Sequence, residues 1–272
     1  MNLSYCSPNR QYKNKNTCFS LESLKNIANA YNKKVNKNNK INITDDTNLL
    51  HKQISKKLSK VCDNEICWIN QSFVKKINDE NINSYTFKPL KPSKKYQWLS
   101  TTDIRKVMKQ YQKKFPNFIF LGPVPIDFDE INTEIGNINL KELKKNGIEK
   151  LGIVFNLDEH YKSGSHWVGL YMEFSDNRQE VSFFDSYGED PDNRINILMD
   201  RLIKSANENL NMNIKKNINK IRTQYANSEC GVYSMNFILH NVMGDSFEDT
   251  TENIINDDNM NKRRNLFFRN NK

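Results

Sequence analysis

Nowhere does the sequence hold the ~18–20 consecutive apolar residues that a membrane-crossing helix requires, so no membrane role is expected. Its opening stretch, MNLSYCSPNRQYKNKN, has no charged segment leading into an apolar one, so no secretory leader is expected either. Together these absences predict a soluble, intracellular protein. No internal repeat is visible. Histidine is scarce, at His51, His160, His166 and His240 only, which leaves few candidates for acid–base work near neutral pH. Cysteine is also sparse, and its count of five is odd: Cys6, Cys18, Cys62, Cys67 and Cys230. An odd count in an unsecreted chain argues against a disulfide framework. The first four invite a thiolate zinc site, but their spacing matches neither ribbon nor finger. Buried free thiols are therefore the expectation for them, with zinc as the alternative. Cys230 stands alone, far downstream.

The 272 residues suit one medium domain with an accessory region, or two small domains. The formal charge of +9 comes from a lysine excess. It permits nonspecific DNA contact, although no basic run is interleaved with aromatics as a stacking groove requires. Coding bias toward Lys and Asn explains the excess equally well.

Leu21, Leu24, Ala28 and Tyr31 recur at helical spacing behind Ser20, a fitting N-cap. Lys33 to Asn48 has little to bury and reads as an exposed loop. A second helical segment, Leu49 to Val61, leads to CDNEICWI. Lys88-Pro89-Leu90-Lys91-Pro92 reads as an extended linker. The division expected is a mainly helical N-terminal arm domain, 1–87, and a core domain, 88–272. In the second region Ser100 and Asp103 form a capping-box pattern, and Ile104, Val107, Met108, Tyr111 and Phe115 mark one helix face. FIFLGPVPIDF is broken by prolines and reads as an edge strand or loop. Strand-like runs follow at 151–156, 166–174 and 180–185, the last two joined by a turn as an antiparallel hairpin. Helical spacing returns at Ile195, Leu198, Met199, Leu202 and Ile203. Another helix is expected from Cys230 to about Val242, then a polar tail helix. Strands between helices predict an α+β core.

The chemistry concentrates at a few positions. A cysteine is a useful nucleophile only as thiolate. Cys230 opens a predicted helix, whose unpaired N–H groups favour negative charge on sulfur, and Gly231 leaves room for a substrate carbonyl. Taken alone, Cys230 reads as a buried cysteine at a helix–sheet contact. His166 heads a predicted strand after a Gly-Ser turn, fixed yet within reach of solvent. His160 and His240 lack such a setting. Asp185 ends the neighbouring strand, from which its carboxylate can orient an imidazole. Gln224, six residues before Cys230, is a candidate donor to an oxyanion, together with the Cys230 N–H.

The set HW…D…Q-x5-CG resembles the SUMO-protease/adenovirus-protease superfamily of cysteine peptidases. Within it, the chain is most similar to polyprotein-processing proteases of African swine fever virus and similar large DNA viruses. CDNEICWI, GSHWVGLY, TQYANSECGVYS and DDNMNKRRNLFFR carry the likeness over most of the chain, least over residues 1–48. The resemblance implies a papain-like, SUMO-protease-like fold, a central mostly antiparallel sheet flanked by helices, with a mainly helical arm. It implies His166 as general base, Cys230 as nucleophile, Gln224 as oxyanion donor and Asp185 as the residue orienting the base, where the swine fever enzyme carries asparagine. It further implies cleavage after Gly-Gly in a viral polyprotein during virion maturation, with Trp167 and Trp98 narrowing the site to glycine. No metal or cofactor is required. Action at cytoplasmic assembly sites and in the virion would follow. Competing readings are an isopeptidase that removes a ubiquitin-like modifier, and a catalytically silent binding protein.

Overall fold

The computed structural model describes residues 4–10, 16–94, 96–131 and 133–270; the opening stretch read for a leader lies partly outside them. The chain divides into two compact units, Met1–Leu90 with Phe268–Lys272, and Lys91–Phe267.

The N-terminal unit is built on helices Leu21–Asn32 and Thr47–Leu58, capped by Ser20 and Asp46. Three short helices follow, Glu65–Ile69, Ser72–Lys75 and Glu80–Asn83. Between the two long helices the chain makes only a single helical turn, Lys37–Asn39, as the polar composition led one to expect. Phe19 stacks on Trp68 at 5.8 Å and meets Phe87 edge-on at 5.3 Å in a compact core.

The four arm cysteines are disulfide-bonded, Cys6 to Cys18 and Cys62 to Cys67, with Cα separations of 5.2 and 5.4 Å. This corrects the expectation of free thiols and removes the zinc alternative, since the sulfurs are already paired. The odd count means only that Cys230 is left over. Glu65, buried, ties the two bridges together: it precedes Cys67 by two residues and accepts from the Cys18 N–H at 3.3 Å. Tyr5 also donates to Glu65, at 3.4 Å, and burial beside that carboxylate pushes the phenol up to about 12.

In the second unit the strands are β1 (Phe118–Phe120), β2 (Val124–Pro125), β3 (Lys150–Asn156), β4 (Trp167–Phe174), β5 (Gln179–Phe184) and β6 (Lys215–Ile218). They form one sheet in the order β1-β3-β4-β5-β6, with β2 also on β3. The long pairs β3–β4 and β4–β5 are antiparallel, while β1, β2 and β6 join in parallel, so the sheet is mixed. FIFLGPVPIDF supplies both β1 and β2, with a cis Gly122–Pro123 bond between them. No periodicity announced β6, a polar four-residue edge strand, nor the helix Leu140–Lys145.

Alternation along the strands divides their side chains between two faces. Leu151, Ile153, Phe155, Leu170, Met172, Val181 and Phe183 share a core with Leu198, Met199 and Leu202 of the helix Asn193–Leu210. Each such side chain contributes about 1.5–3 kcal/mol by burial. On the opposite face lies the helix Cys230–Met243, buried along nearly its whole length. Phe237 stacks on Phe184 at 4.9 Å, and Ser234 donates to the Trp167 carbonyl at 3.0 Å. This helix delivers its N-terminus to the ends of β4 and β5.

Candidate active site

His166 immediately precedes β4 and Asp185 immediately follows β5. The last register pair of that hairpin is Gly169–Phe184, so both residues sit where the two strands end together. The His166 main chain is pinned by Leu157, whose N–H donates to its carbonyl at 2.9 Å. Its ring Nε2 donates to Asp185 Oδ1 at 2.6 Å, and the same oxygen accepts the Tyr187 N–H at 2.9 Å. Both side chains are buried. With Nε2 committed to Asp185, Nδ1 is the ring nitrogen left for the Cys230 sulfur, which also acts on the ring. Burial alone would lower the His166 pKa, but the hydrogen bonds and charges of Asp185 and Cys230 outweigh it and raise it to about 9. The imidazolium is thus the favoured form at neutral pH.

Cys230 is the first residue of its helix and the free cysteine among the five. Glu229 precedes it, but that carboxylate turns away: Oε1 accepts from Ser228 Oγ and Asn261 Nδ2, and Oε2 from the Ser228 N–H. The first helical N–H groups are therefore not capped by this side chain. Gly231 is tightly packed: a methyl group there would lie 3.2 Å from Trp167 Cδ1 and 3.3 Å from Leu99 Cβ.

Gln224 is fully buried. Its Oε1 accepts from Ser186 Oγ at 2.6 Å and its Nε2 donates to the Ala226 carbonyl at 2.8 Å. The Ser186 carbonyl in turn accepts the N–H groups of Thr223 and Gln224. The turn Asp185-Ser186-Tyr187-Gly188 thereby touches both the base and the amide. Gly188 adopts φ +77°, a conformation that favours glycine.

Trp167 is buried, its Nε1 donating to the Leu99 carbonyl at 2.9 Å, whereas Trp98 is 43 % exposed. Both line a cleft of about 430 Å³ with Leu99, Pro123, Asn156 and His160. No pattern in the sequence pointed to His160 as a cleft residue. Its Nδ1 lies 2.5 Å from Oδ2 of buried Asp127, a partner 33 residues away in a loop. Nor did it announce Tyr187, whose ring stacks on that of His166 at 4.4 Å and 5°. Among the described residues no cluster of His, Cys, Asp and Glu has the make-up of a metal site.

Comparison with known proteins bears on the family and the fold. The profile of the Ulp1 protease family, C-terminal catalytic domain, matches residues 138–272. The putative thiol protease R355 of Acanthamoeba polyphaga mimivirus is 33% identical over 286 residues, covering 98% of this chain and 94% of the relative. Cysteine protease S273R of African swine fever virus (isolate Tick/Malawi/Lil 20-1/1983) is 24% identical over 255 residues, covering 84% of this chain and 93% of its own length. The crystal structure of the African swine fever virus pS273R protease superposes with a TM-score of 0.69 at 19% identity, covering 98% of this chain and 96% of that one, which establishes the shared fold.

Proposed function

The chain belongs to the Ulp1 protease family of cysteine peptidases, in its large-DNA-virus branch, and from that premise we propose that it is an endopeptidase cleaving after Gly-Gly in viral structural polyprotein precursors. The observation that carries this reading is the buried Asp185–His166 hydrogen bond, set where β4 and β5 end together, with Cys230 acting on the same ring from the start of its helix.

In this mechanism the Cys230 proton resides on His166, and the thiolate attacks the carbonyl carbon of the second glycine. The oxygen of the tetrahedral intermediate takes hydrogen bonds from the Cys230 N–H and from Gln224 Nε2, whose second hydrogen is not needed by Ala226. As the C–N bond breaks, His166 Nδ1 passes its proton to the leaving amine. Water, deprotonated by the now neutral imidazole, attacks the thioester; the glycine-terminal acid departs and the thiol is restored. Asp185 remains ionised throughout and holds the ring. Trp167, packed against Gly231 next to the nucleophile, would narrow the site in favour of glycine, and the resemblance gives Trp98 the second narrowing role. In the infected cell this work belongs at cytoplasmic assembly sites and in the particle.

A short fluorogenic peptide ending in Gly-Gly, offered to the wild type, Cys230→Ala and His166→Ala, tests the reading. Turnover by wild type alone supports it, and equal turnover by Cys230→Ala would sink it. The resemblance to SUMO proteases supports a second reading, release of a ubiquitin-like modifier. A folded modifier ending in Gly-Gly, cleaved far faster than the peptide, would favour that reading. Charge supports a DNA contact: residues 1–90 hold fifteen Lys and Arg against seven Asp and Glu, leaving +8 of the total +9 there. If DNA at low salt changes neither turnover nor mobility, that contact is absent.

A further inference from the structure

Four side chains stack in a column that begins at the base. The Tyr187 ring covers the His166 imidazole at 4.4 Å, nearly parallel. With one Tyr187 face so occupied, the other receives the guanidinium of Arg222, 5.2 Å from the ring centroid. The same guanidinium lies 4.9 Å from the ring centroid of Tyr225. A planar cation held between two aromatic rings is a geometry that arginine adopts and lysine cannot reproduce.

Arg222 is held in place from several directions. Its Nε donates to the Gln224 carbonyl at 3.0 Å. Its main chain packs so closely on the Asp185–Gly188 turn that a methyl group at Gly188 would lie 2.9 Å from the Arg222 nitrogen. The two aromatic rings define its plane. Yet Arg222 is exposed, and among the described residues its terminal nitrogens make no hydrogen bond and no ion pair. Two acids of neighbouring segments are committed elsewhere: Asp190 pairs with Lys220, and Asp257 accepts the N–H groups of Tyr225 and Ala226. Tyr225 is 73 % exposed although its backbone is anchored in this way. An oriented cation with a vacant fork, flanked by an exposed tyrosine on a fixed backbone, has the make-up of a recognition site for a carboxylate.

Its location assigns the part of the substrate it meets. In the reaction proposed above His166 hands a proton to the leaving amine, so the segment that follows the scissile bond must pass the imidazole. The stack puts the guanidinium at most about 10 Å from that ring, and an extended peptide advances ~3.3 Å per residue. A carboxylate two residues beyond the cleaved bond, with the added reach of its side chain, arrives at Arg222. We propose that Tyr187, Arg222 and Tyr225 form a subsite for an acidic side chain at the second residue after the scissile bond. The proposal rests on the Gly-Gly endopeptidase reading.

The test uses internally quenched peptides that share Gly-Gly and carry Glu, Gln or Lys at the second position after it. Wild type should cleave the Glu peptide with a kcat/KM about tenfold above that of its Gln isostere at low salt, the ratio shrinking as salt rises. Arg222→Gln should bring the Glu-to-Gln ratio to about one, and Arg222→Glu should reverse the preference toward Lys. A wild-type ratio near one overturns the subsite while leaving the Gly-Gly reading intact. So does a variant that loses activity on all three peptides equally with the ratio preserved. If wild type cleaves none of the three, the Gly-Gly reading falls and takes the subsite with it.

Discussion

Ser186 Oγ donates to Gln224 Oε1 at 2.6 Å, so the residue after Asp185 holds the amide that the proposed mechanism uses as oxyanion donor. One turn therefore touches both the His166 imidazole, through Asp185, and the Gln224 amide, through Ser186.

Loss of that bond should be felt in kcat. Without the Ser186 hydroxyl the buried amide keeps only its bond to the Ala226 carbonyl, and Gln224→Ala removes the donor outright. An oxyanion donor is worth about 2.7–4 kcal/mol in rate, so Gln224→Ala should lower kcat by roughly 100- to 1,000-fold. Ser186→Ala should lose part of that, about tenfold, with KM little changed. Steady-state kinetics on a Gly-Gly peptide decide it. A Ser186→Ala enzyme with unchanged kcat would mean that Ala226 suffices to hold the amide.

The alkaline limit of activity follows from His166. Its pKa is raised to about 9 because Asp185 and Cys230 outweigh burial. A raised folded-state value means that the ion pair's contribution is fully present below the unfolded value, about 6.5, and is lost as pH rises through 9. The kcat/KM profile should accordingly fall with a midpoint near pH 9. Asp185→Asn keeps a hydrogen-bond partner but removes the charge, and should move that midpoint down by about 1–3 units. A limb that stays put in the variant would show that Asp185 does not govern the ring's proton.

The candidate series Asp185, His166 and Cys230 was legible in the sequence because its members sit at element ends, where strand and helix signals converge on single residues. HW opens a strand, D closes the next, and CG opens a helix. The hairpin, the Ser100–Asp103 capping box and the amphipathic helices were legible for the same reason: their partners lie three to twenty residues away. The features missed depend on distant partners. Nothing in the spacing of Cys6, Cys18, Cys62 and Cys67 says which Cα atoms meet. Asp127 finds His160 only because β2 lies along β3. β6 is Lys-Lys-Asn-Ile, an edge strand whose polar sequence resembles a loop until β5 is there to pair with it. Arg264 looked like one more charge in a polar tail, yet it is among the most deeply buried side chains of the chain.

The disulfides predict a thiol count. Unfolded without reductant, the protein should present one thiol, Cys230, to an alkylating or colorimetric reagent, and five after reduction. Reducing both bridges should destabilise the arm by about 2–4 kcal/mol per bridge in the chain-entropy account. Five reactive thiols in freshly denatured, unreduced protein would refute the pairing.

The tail helix Asp257–Phe267 makes the remaining prediction through Arg264. Its Nη1 donates to the Gln97 carbonyl at 2.9 Å, its Nη2 to the Ser228 carbonyl at 2.8 Å, and its Nε to Asn261 Oδ1 at 2.9 Å. Gln97 adjoins Trp98 of the cleft, and Ser228 lies two residues before Cys230, so one buried guanidinium joins the cleft wall to the nucleophile's loop. Removing it strands two carbonyls, each costing about 1–3 kcal/mol. Arg264→Ala should therefore lose about 3 kcal/mol, a fall in Tm of roughly 6–12 °C for a domain of this size. Arg264→Lys keeps the charge but not the rigid fork that reaches both carbonyls at once, so it should recover little of the loss. Thermal melts of the two variants separate the explanations. If lysine restores the wild-type Tm, charge opposite Glu229 is what matters; if it does not, the fork is what holds the two segments together.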